Sequence, residues 1–178
     1  MRYYIISGFP GIGKTYAYKW LTDYIKNKSL NWRVYDTDSS NYSHTEDENG
    51  LRIIHPNFPN NYMEAIKDRL YQAKEDDVDK CIILTSTNDV VRQKLYEEGF
   101  EVTILYPSVG AKEIYMNRYK DRCSPQSLID RIDENYEHWI NEIQEDEAHD
   151  SFHVYQLEDS QYLSSIILYL LNEEGGEM

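Results

Sequence analysis

Apolar and polar positions follow two alternating rhythms along this chain of 178 residues. Short runs rich in β-branched and aromatic residues recur at 2–8 (RYYIISG), 32–40 (WRVYDTDSS), 80–87 (KCIILTST), 100–108 (FEVTILYPS) and 152–158 (FHVYQLE). Each is the length of a buried strand. Between them, apolar residues fall three and four apart. From Lys14 to Lys28 the helical positions are Ala17, Trp20, Leu21, Tyr24 and Ile25. Asn60 or Asn61 suits the N-cap of a helix carrying Met63, Ile66 and Leu70. Further helices are predicted from Asp89 to Glu98, stopping at Gly99, and through Ile114, Met116 and Tyr119. A long helix follows, with Ser124 as N-cap and Pro125 in its first turn. It places Leu128, Ile129, Ile132, Tyr136, Trp139, Ile140 and Ile143 along one core-facing stripe. Tyr162 to Leu171 reads as a closing helix.

The segment 40–50 (SNYSHTEDENG) has no apolar periodicity and reads as a loop, and HPNFPN (55–60) is stiffened by two prolines. The acidic run 142–150 reads as a solvated turn. No repeat or linker divides the chain, so a single domain over 1–178 is expected. Five strands separated by helices imply an α/β, three-layer fold: a five-stranded parallel sheet with helices on both faces. Right-handed crossovers restrict its topology. Ligands of such sheets bind beyond the carboxyl ends of the strands. The polar ends DTDSS, TSTN and YPS gather on that rim, together with the glycine-rich segment that follows the first run.

That segment, Gly8-Phe9-Pro10-Gly11-Ile12-Gly13-Lys14-Thr15, matches G-x-x-x-x-G-K-[ST] in full and lies between a strand and an amphipathic helix. Glycines let the backbone turn N–H groups inward as an anion nest, and the helix adds its positive end. The expected cofactors are ATP and Mg²⁺. Gly8, Gly11, Ile12, Gly13, Lys14, Thr15 and Tyr16 form the nucleotide site, with Lys14 at the terminal phosphates and Thr15 as a metal ligand.

Composition narrows the classes. The formal net charge is −14, from 18 Lys+Arg and 32 Asp+Glu, and no basic block is present. Repulsion of a phosphate backbone weighs against a nucleic-acid partner. Two cysteines, Cys81 and Cys123, lack metal-site spacing and fit a reducing, cytoplasmic location. No window is apolar enough for a membrane span, and the N-terminus is too short for a signal peptide. The only Asn-Lys lies in NKSL (27–30), at the end of the first helix, which argues against a guanine-reading GTPase. The seventeen tyrosines have no account at the level of sequence beyond packing and half-buried surface.

In element order nearly the whole chain resembles the P-loop nucleoside/nucleotide kinase-like family, to which many bacteriophage kinases belong. The resemblance rests on the glycine loop (a Walker loop), the acidic pair Asp36 and Asp38 after the second strand, and the basic segment NRYKDR with Arg118 and Arg122. FPNNY (58–62), LTSTNDVVR and the closing FHVYQLEDSQYLSSII are similar as well. The resemblance implies a fold like that of nucleoside monophosphate kinases with a short lid (111–127) and an acceptor region over 40–62. One departure is that CIILTST ends in hydroxyls where a metal-shell aspartate is often found, while Asp79 lies before that strand. The carboxylate beside Thr15 in the metal shell would then come from Asp36, the first expectation, or Asp38, as in the shikimate- and gluconate-kinase-like branch, where a D-x-D follows the second strand.

The implied reaction moves the γ-phosphate of ATP to a small acceptor, a (deoxy)nucleoside monophosphate being the first expectation. Lys14, Asp36, Arg118 and Arg122 would be catalytic; Asp38, Arg52, His55 and Arg92 would bind the acceptor. Arg118 and Arg122 lie four apart and share a helix side. Alternatives are a kinase of a nucleoside or hydroxy-acid hydroxyl, and an ATP-binding regulatory module with slow hydrolysis. A monomer or homodimer without a membrane partner is expected.

Overall fold

A computed structural model describes residues 1–172. The first strand, β1 (Arg2–Gly8), leads through the glycine loop into α1 (Lys14–Asn27) and β2 (Trp32–Asp36). A short helix α2 (Ser40–Ser43) and a hairpin of β3 (His44–Glu46) and β4 (Arg52–Ile54) precede α3 (Asn60–Glu75). Then come β5 (Lys80–Ser86), α4 (Asp89–Glu97), β6 (Val102–Pro107), α5 (Lys112–Asp121), α6 (Gln126–Glu145), β7 (Phe152–Leu157) and α7 (Leu163–Asn172). The five long strands form one parallel sheet in the order β2-β5-β1-β6-β7. This is the α/β sheet expected from the alternating pattern.

Every residue from Cys81 to Thr85 is buried, as are Tyr4 to Gly8, so the two central strands are apolar on both faces. The connections from β1 to β2 and from β2 to β5 run in opposite directions across the sheet. Right-handed crossovers therefore put α1 and α3 on opposite faces. α1 packs with α7, and α3 packs with α4. The α6 stripe buries Ile129, Ile132, Tyr136, Ile140 and Ile143, and Trp139 meets the ring of Phe9 edge-on at 6.4 Å. The register aligns Gly8 with Ser86 and Leu105, and Asp36 with Leu84. The carboxyl ends of β1, β2, β5 and β6 thus share a rim.

Four expectations are corrected. Segment 40–50 is structured as α2 and the β3–β4 hairpin, where His44 pairs with Ile54 and Glu46 with Arg52. A three-residue strand is too short to display periodicity. The second strand ends at Asp36, and Asp38 lies in the following turn, where its carboxylate accepts from the Ser40 N–H at 2.9 Å. The two aspartates therefore do not share a face of one continuing strand. Neither Ser124 nor Asn60 or Asn61 takes the N-cap position expected of it: α6 starts at Gln126 after an extended Pro125, and Ser124 Oγ takes a hydrogen bond from Arg122 Nε at 2.8 Å. α3 starts at Asn60, directly after Pro59.

The fourth correction concerns the acidic run. α6 continues to Glu145 and a 3₁₀ turn covers 146–148. There Asp146 pairs with Arg92, whose side chain is only 6% exposed and also donates to the Thr87 carbonyl. This run is partly an internal anchor. Arg92→Ala should lower unfolding free energy by about 3 kcal/mol, because Asp146 would be left without its counter-charge. Urea denaturation measures this, and adding Asp146→Ala should cost less than the two single losses combined.

Candidate nucleotide and acceptor site

The glycine loop is held open from outside. Phe9 N–H bonds to Leu105 O at 2.9 Å, and its buried ring meets Tyr115, Tyr136 and Trp139. Tyr119 donates its hydroxyl to Pro10 O, and Leu163 N–H bonds to Ile12 O at 2.9 Å. Gly11 and Gly13 adopt φ of +85° and +89°, which strongly favours glycine. A Cβ on Gly11 would lie 2.8 Å from the Tyr119 hydroxyl, so this position tolerates no side chain on either count. Ile12 is buried, and its N–H bends back to Phe9 O at 3.3 Å. Among the described residues, the N–H groups of Gly11, Gly13, Lys14, Thr15 and Tyr16 have no backbone acceptor. Five unpaired donors around one turn at a helix start fit the phosphates of a nucleotide.

Lys14 lies half-buried within this turn, its ammonium donating to Gly8 O at 2.7 Å. Burial lowers its pKa to about 8; Asp36 and Asp38 oppose that shift, and Arg122 adds to it. The structure thereby brings Lys14, both aspartates and Arg122 into one electrostatic neighbourhood. Thr15, Asp36 and Asp38 line a cleft of about 320 Å³ at the end of edge strand β2. Thr15 and Asp36 are the oxygen-bearing side chains here that could hold a Mg²⁺ ion alongside phosphates and water. Among the described residues no cluster of three or more His, Cys, Asp or Glu forms an all-protein metal cage. β5 ends in hydroxyls, with Ser86 Oγ bonding to Ser39 Oγ at 2.8 Å, and Asp79 lies at the amino end of the strands, away from this rim, its carbonyl taking the Arg2 N–H.

The lid-like segment is fastened down. The Arg118 guanidinium lies 4.4 Å from the Tyr115 ring and 4.0 Å from the Tyr162 ring, and Nη2 donates to Asp159 O at 2.8 Å. Tyr162 in turn packs over Gly13. Arg122 is exposed and rests on the Tyr119 ring at 4.8 Å. Arg118 thus holds Tyr162 against the loop, whereas Arg122 leaves its charge exposed at the surface.

The acceptor residues expected from sequence separate. Asp38 lines the cleft. Arg52 is exposed on β4, outside the cleft lining, and His55 Nδ1 accepts the Asn57 N–H at 3.1 Å within its own turn. Arg92 is taken up by its ion pair with Asp146. It borders a broader depression of about 670 Å³, with Asp89, Glu142 and His149, that shares no residue with the loop or the Asp36 cleft. The remaining cleft walls are Tyr18, Lys19, Tyr35, Thr37, Asn41, Tyr42 and Arg69. Sequence reasoning missed these, although Tyr35 and Thr37 flank the aspartate it singled out. Arg69 sits among ordinary helix-surface residues and gives no signal.

No protein-family model matches the chain, and no curated protein matches it in sequence. Solved structures do. The Deinococcus radiodurans tunicamycin resistance protein superimposes with a TM-score of 0.59 at 13% identity, covering 99% of this chain and 96% of that one. A gluconokinase from Sinorhizobium meliloti 1021 gives 0.52 at 15% identity, covering 97% and 94%. The chain has a P-loop kinase-like fold. At these identities the likeness establishes the fold, and it lends no support to a bacteriophage-type subfamily. Among the described residues no helix is long and apolar enough to cross a membrane.

A pKa of about 8 at Lys14 has a consequence for binding. A triphosphate at the loop would raise it, so binding above pH 8 requires proton uptake. ATP affinity should stay level from pH 7 to about 8 and then weaken, by up to tenfold per unit, towards pH 9.5. Calorimetry in two buffers of different ionisation enthalpy should register the uptake at pH 8.5. Affinity that is constant over this range would contradict the placement of Lys14 at the phosphates.

Proposed function

We propose that the protein is a Mg²⁺-dependent kinase that transfers the γ-phosphate of ATP to a hydroxyl of a small molecule. The observation that carries this reading is the single cleft in which Thr15 of the phosphate loop meets Asp36 and Asp38. Phosphoryl transfer asks a protein to position donor and acceptor and to spread developing charge. The loop N–H groups, Lys14 and Arg122 serve the donor. Thr15 and Asp36 would hold Mg²⁺, whose positive charge would offset part of the negative charge on the phosphates. Asp36 or Asp38 takes the acceptor's hydroxyl proton as the oxygen attacks phosphorus. Arg118 holds the loop in place by its clasp between Tyr115 and Tyr162. The fold likeness to a gluconokinase supports a small-molecule acceptor.

A (deoxy)nucleoside monophosphate accepting on its phosphate is a second reading. It loses Arg52 and Arg92 from the acceptor cleft but retains Lys19 and Arg69 there. A phosphate acceptor needs no base, which leaves the two aspartates less employed.

Coupled measurement of ADP across sugars, hydroxy acids, nucleosides and nucleoside monophosphates tests both. One acceptor class should raise turnover far above background; equal turnover with every acceptor would identify a slow hydrolase or regulatory module instead. Lys14→Met should abolish acceptor-dependent turnover without loss of stability. The reason is that burial penalises its charge: the depressed pKa means that this penalty is present below pH 8 and lifts as pH rises towards the unfolded value. Asp36→Asn should lower kcat by roughly a hundredfold or more if it is the base. A loss recovered by raising Mg²⁺ would assign it to the metal alone.

A further inference from the structure

Arg69 is placed unusually for a cation on so acidic a chain. It lines the acceptor cleft together with Thr15, Asp36 and Asp38. Its guanidinium carbon lies 5.1 Å from the centroid of Tyr35, the residue before Asp36. Among the described residues it forms no ion pair and donates no hydrogen bond. Neighbouring cations are engaged: Lys67 pairs with Glu98, and Arg33 lies 3.9 Å from Asp76. On its own helix the positions three and four away are Ala65, Ile66, Gln72 and Ala73, so no carboxylate is within side-chain reach along α3. A ring backs one face of the guanidinium and leaves its N–H edge free, which is how an arginine is presented to a planar or tetrahedral anion.

From this we infer that the acceptor carries an anionic group, a carboxylate or a phosphate, and that Arg69 reads it while the reacting group faces Asp36. The inference rests on the kinase reading for its geometry and adds a substrate class to it. The cleft volume of about 320 Å³ is at the small end of ligand pockets, which suits a molecule of one ring or one short chain. Tyr18, Tyr35 and Tyr42 also line it, and Lys19 adds a second positive charge from α1 on the sheet's other face. A neutral acceptor would leave the guanidinium without a counter-charge in contact. An anionic one satisfies it and is kept at arm's length from Asp36 and Asp38, which orients the molecule. Arg69 is on this account a binding and specificity residue, outside the phosphoryl-transfer step itself.

The test uses matched probes that differ only in the anion: gluconate against glucose, and thymidine monophosphate against thymidine. Binding to the full chain is measured by calorimetry without ATP, and turnover by ADP release with it. In at least one pair the anionic member should bind at least tenfold tighter. Arg69→Gln should weaken that member roughly ten- to a hundredfold while leaving the neutral one unchanged. Arg69→Lys should recover part of the loss, since it keeps the charge but not the fork. The pair that responds separates a carboxylate from a phosphate source. Equal binding within both pairs, no binding by any probe, or an unchanged profile in Arg69→Gln would overturn the inference. Anion-selective binding that needs Arg69, without acceptor-stimulated ADP release, would leave the inference standing and remove the kinase reading.

Discussion

A phosphate cradle must keep backbone N–H groups unpaired before any phosphate arrives. Five such donors surround the turn from Gly11 to Tyr16, and their mutual repulsion and lost hydrogen bonds oppose that shape. Glycine makes the turn sterically possible at φ values near +85°, but permission is not enforcement. The rest of the chain does the enforcing. Phe9 is sunk among three aromatic rings, Pro10 and Ile12 have their carbonyls bound by Tyr119 and Leu163, and Tyr162 lies over Gly13. Helices α5 and α6 and the β7–α7 turn, far away in sequence, are thus organised around eight residues near the start.

The same device accounts for part of the tyrosine content. Tyr62 donates to Thr37 O at 2.6 Å, Tyr119 to Pro10 O, and Tyr136 to Ser108 O at 3.1 Å. All three rings are fully buried, and each hydroxyl ends on a carbonyl in a loop at the rim. A phenylalanine would fill the same space and leave those carbonyls unanswered. Burial also pushes each phenol's ionisation up, so the hydroxyls remain donors at any physiological pH. A tyrosine joins hydrophobic packing to one directed hydrogen bond, which is what a loop on the edge of a core requires. Tyr4 does likewise at the other end, reaching Leu171 O at 3.2 Å.

What the sequence disclosed follows from the length scale of each signal. The five strands and the long helices were legible because burial imposes a period over seven to twenty residues. The glycine loop was legible because its chemistry lies within eight consecutive positions. The β3–β4 hairpin was hidden, since three-residue strands exposed along Arg52–Ile54 carry no periodic constraint. Arg92 and Asp146 lie 54 positions apart, and neither charge advertises its burial. Arg69 was hidden for a related reason: its meaning depends on Tyr35 and the end of β2, which only the crossover geometry brings near. Asp36 was identified from its place at a strand end, and its neighbours in the cleft could be known only from the fold.

On the proposed reading, an acidic protein would have to admit ATP against its own charge, and the scale of that conflict decides which ligands can enter. At physiological salt, charges in solvent are screened over about 8 Å. A small anion at the rim therefore responds mainly to the local cations Lys14, Lys19, Arg69 and Arg122 and to the loop donors, little to the remainder of the −14 total. A polymer spanning tens of ångströms would leave this rim and cross the acidic surface, losing at each phosphate what it gained at the first few. Concentrating a few unpaired cations where the strands end, within an otherwise anionic shell, is in itself a filter for size. That filter works alongside the limited cleft volume, and both favour a compact anionic acceptor over an extended one.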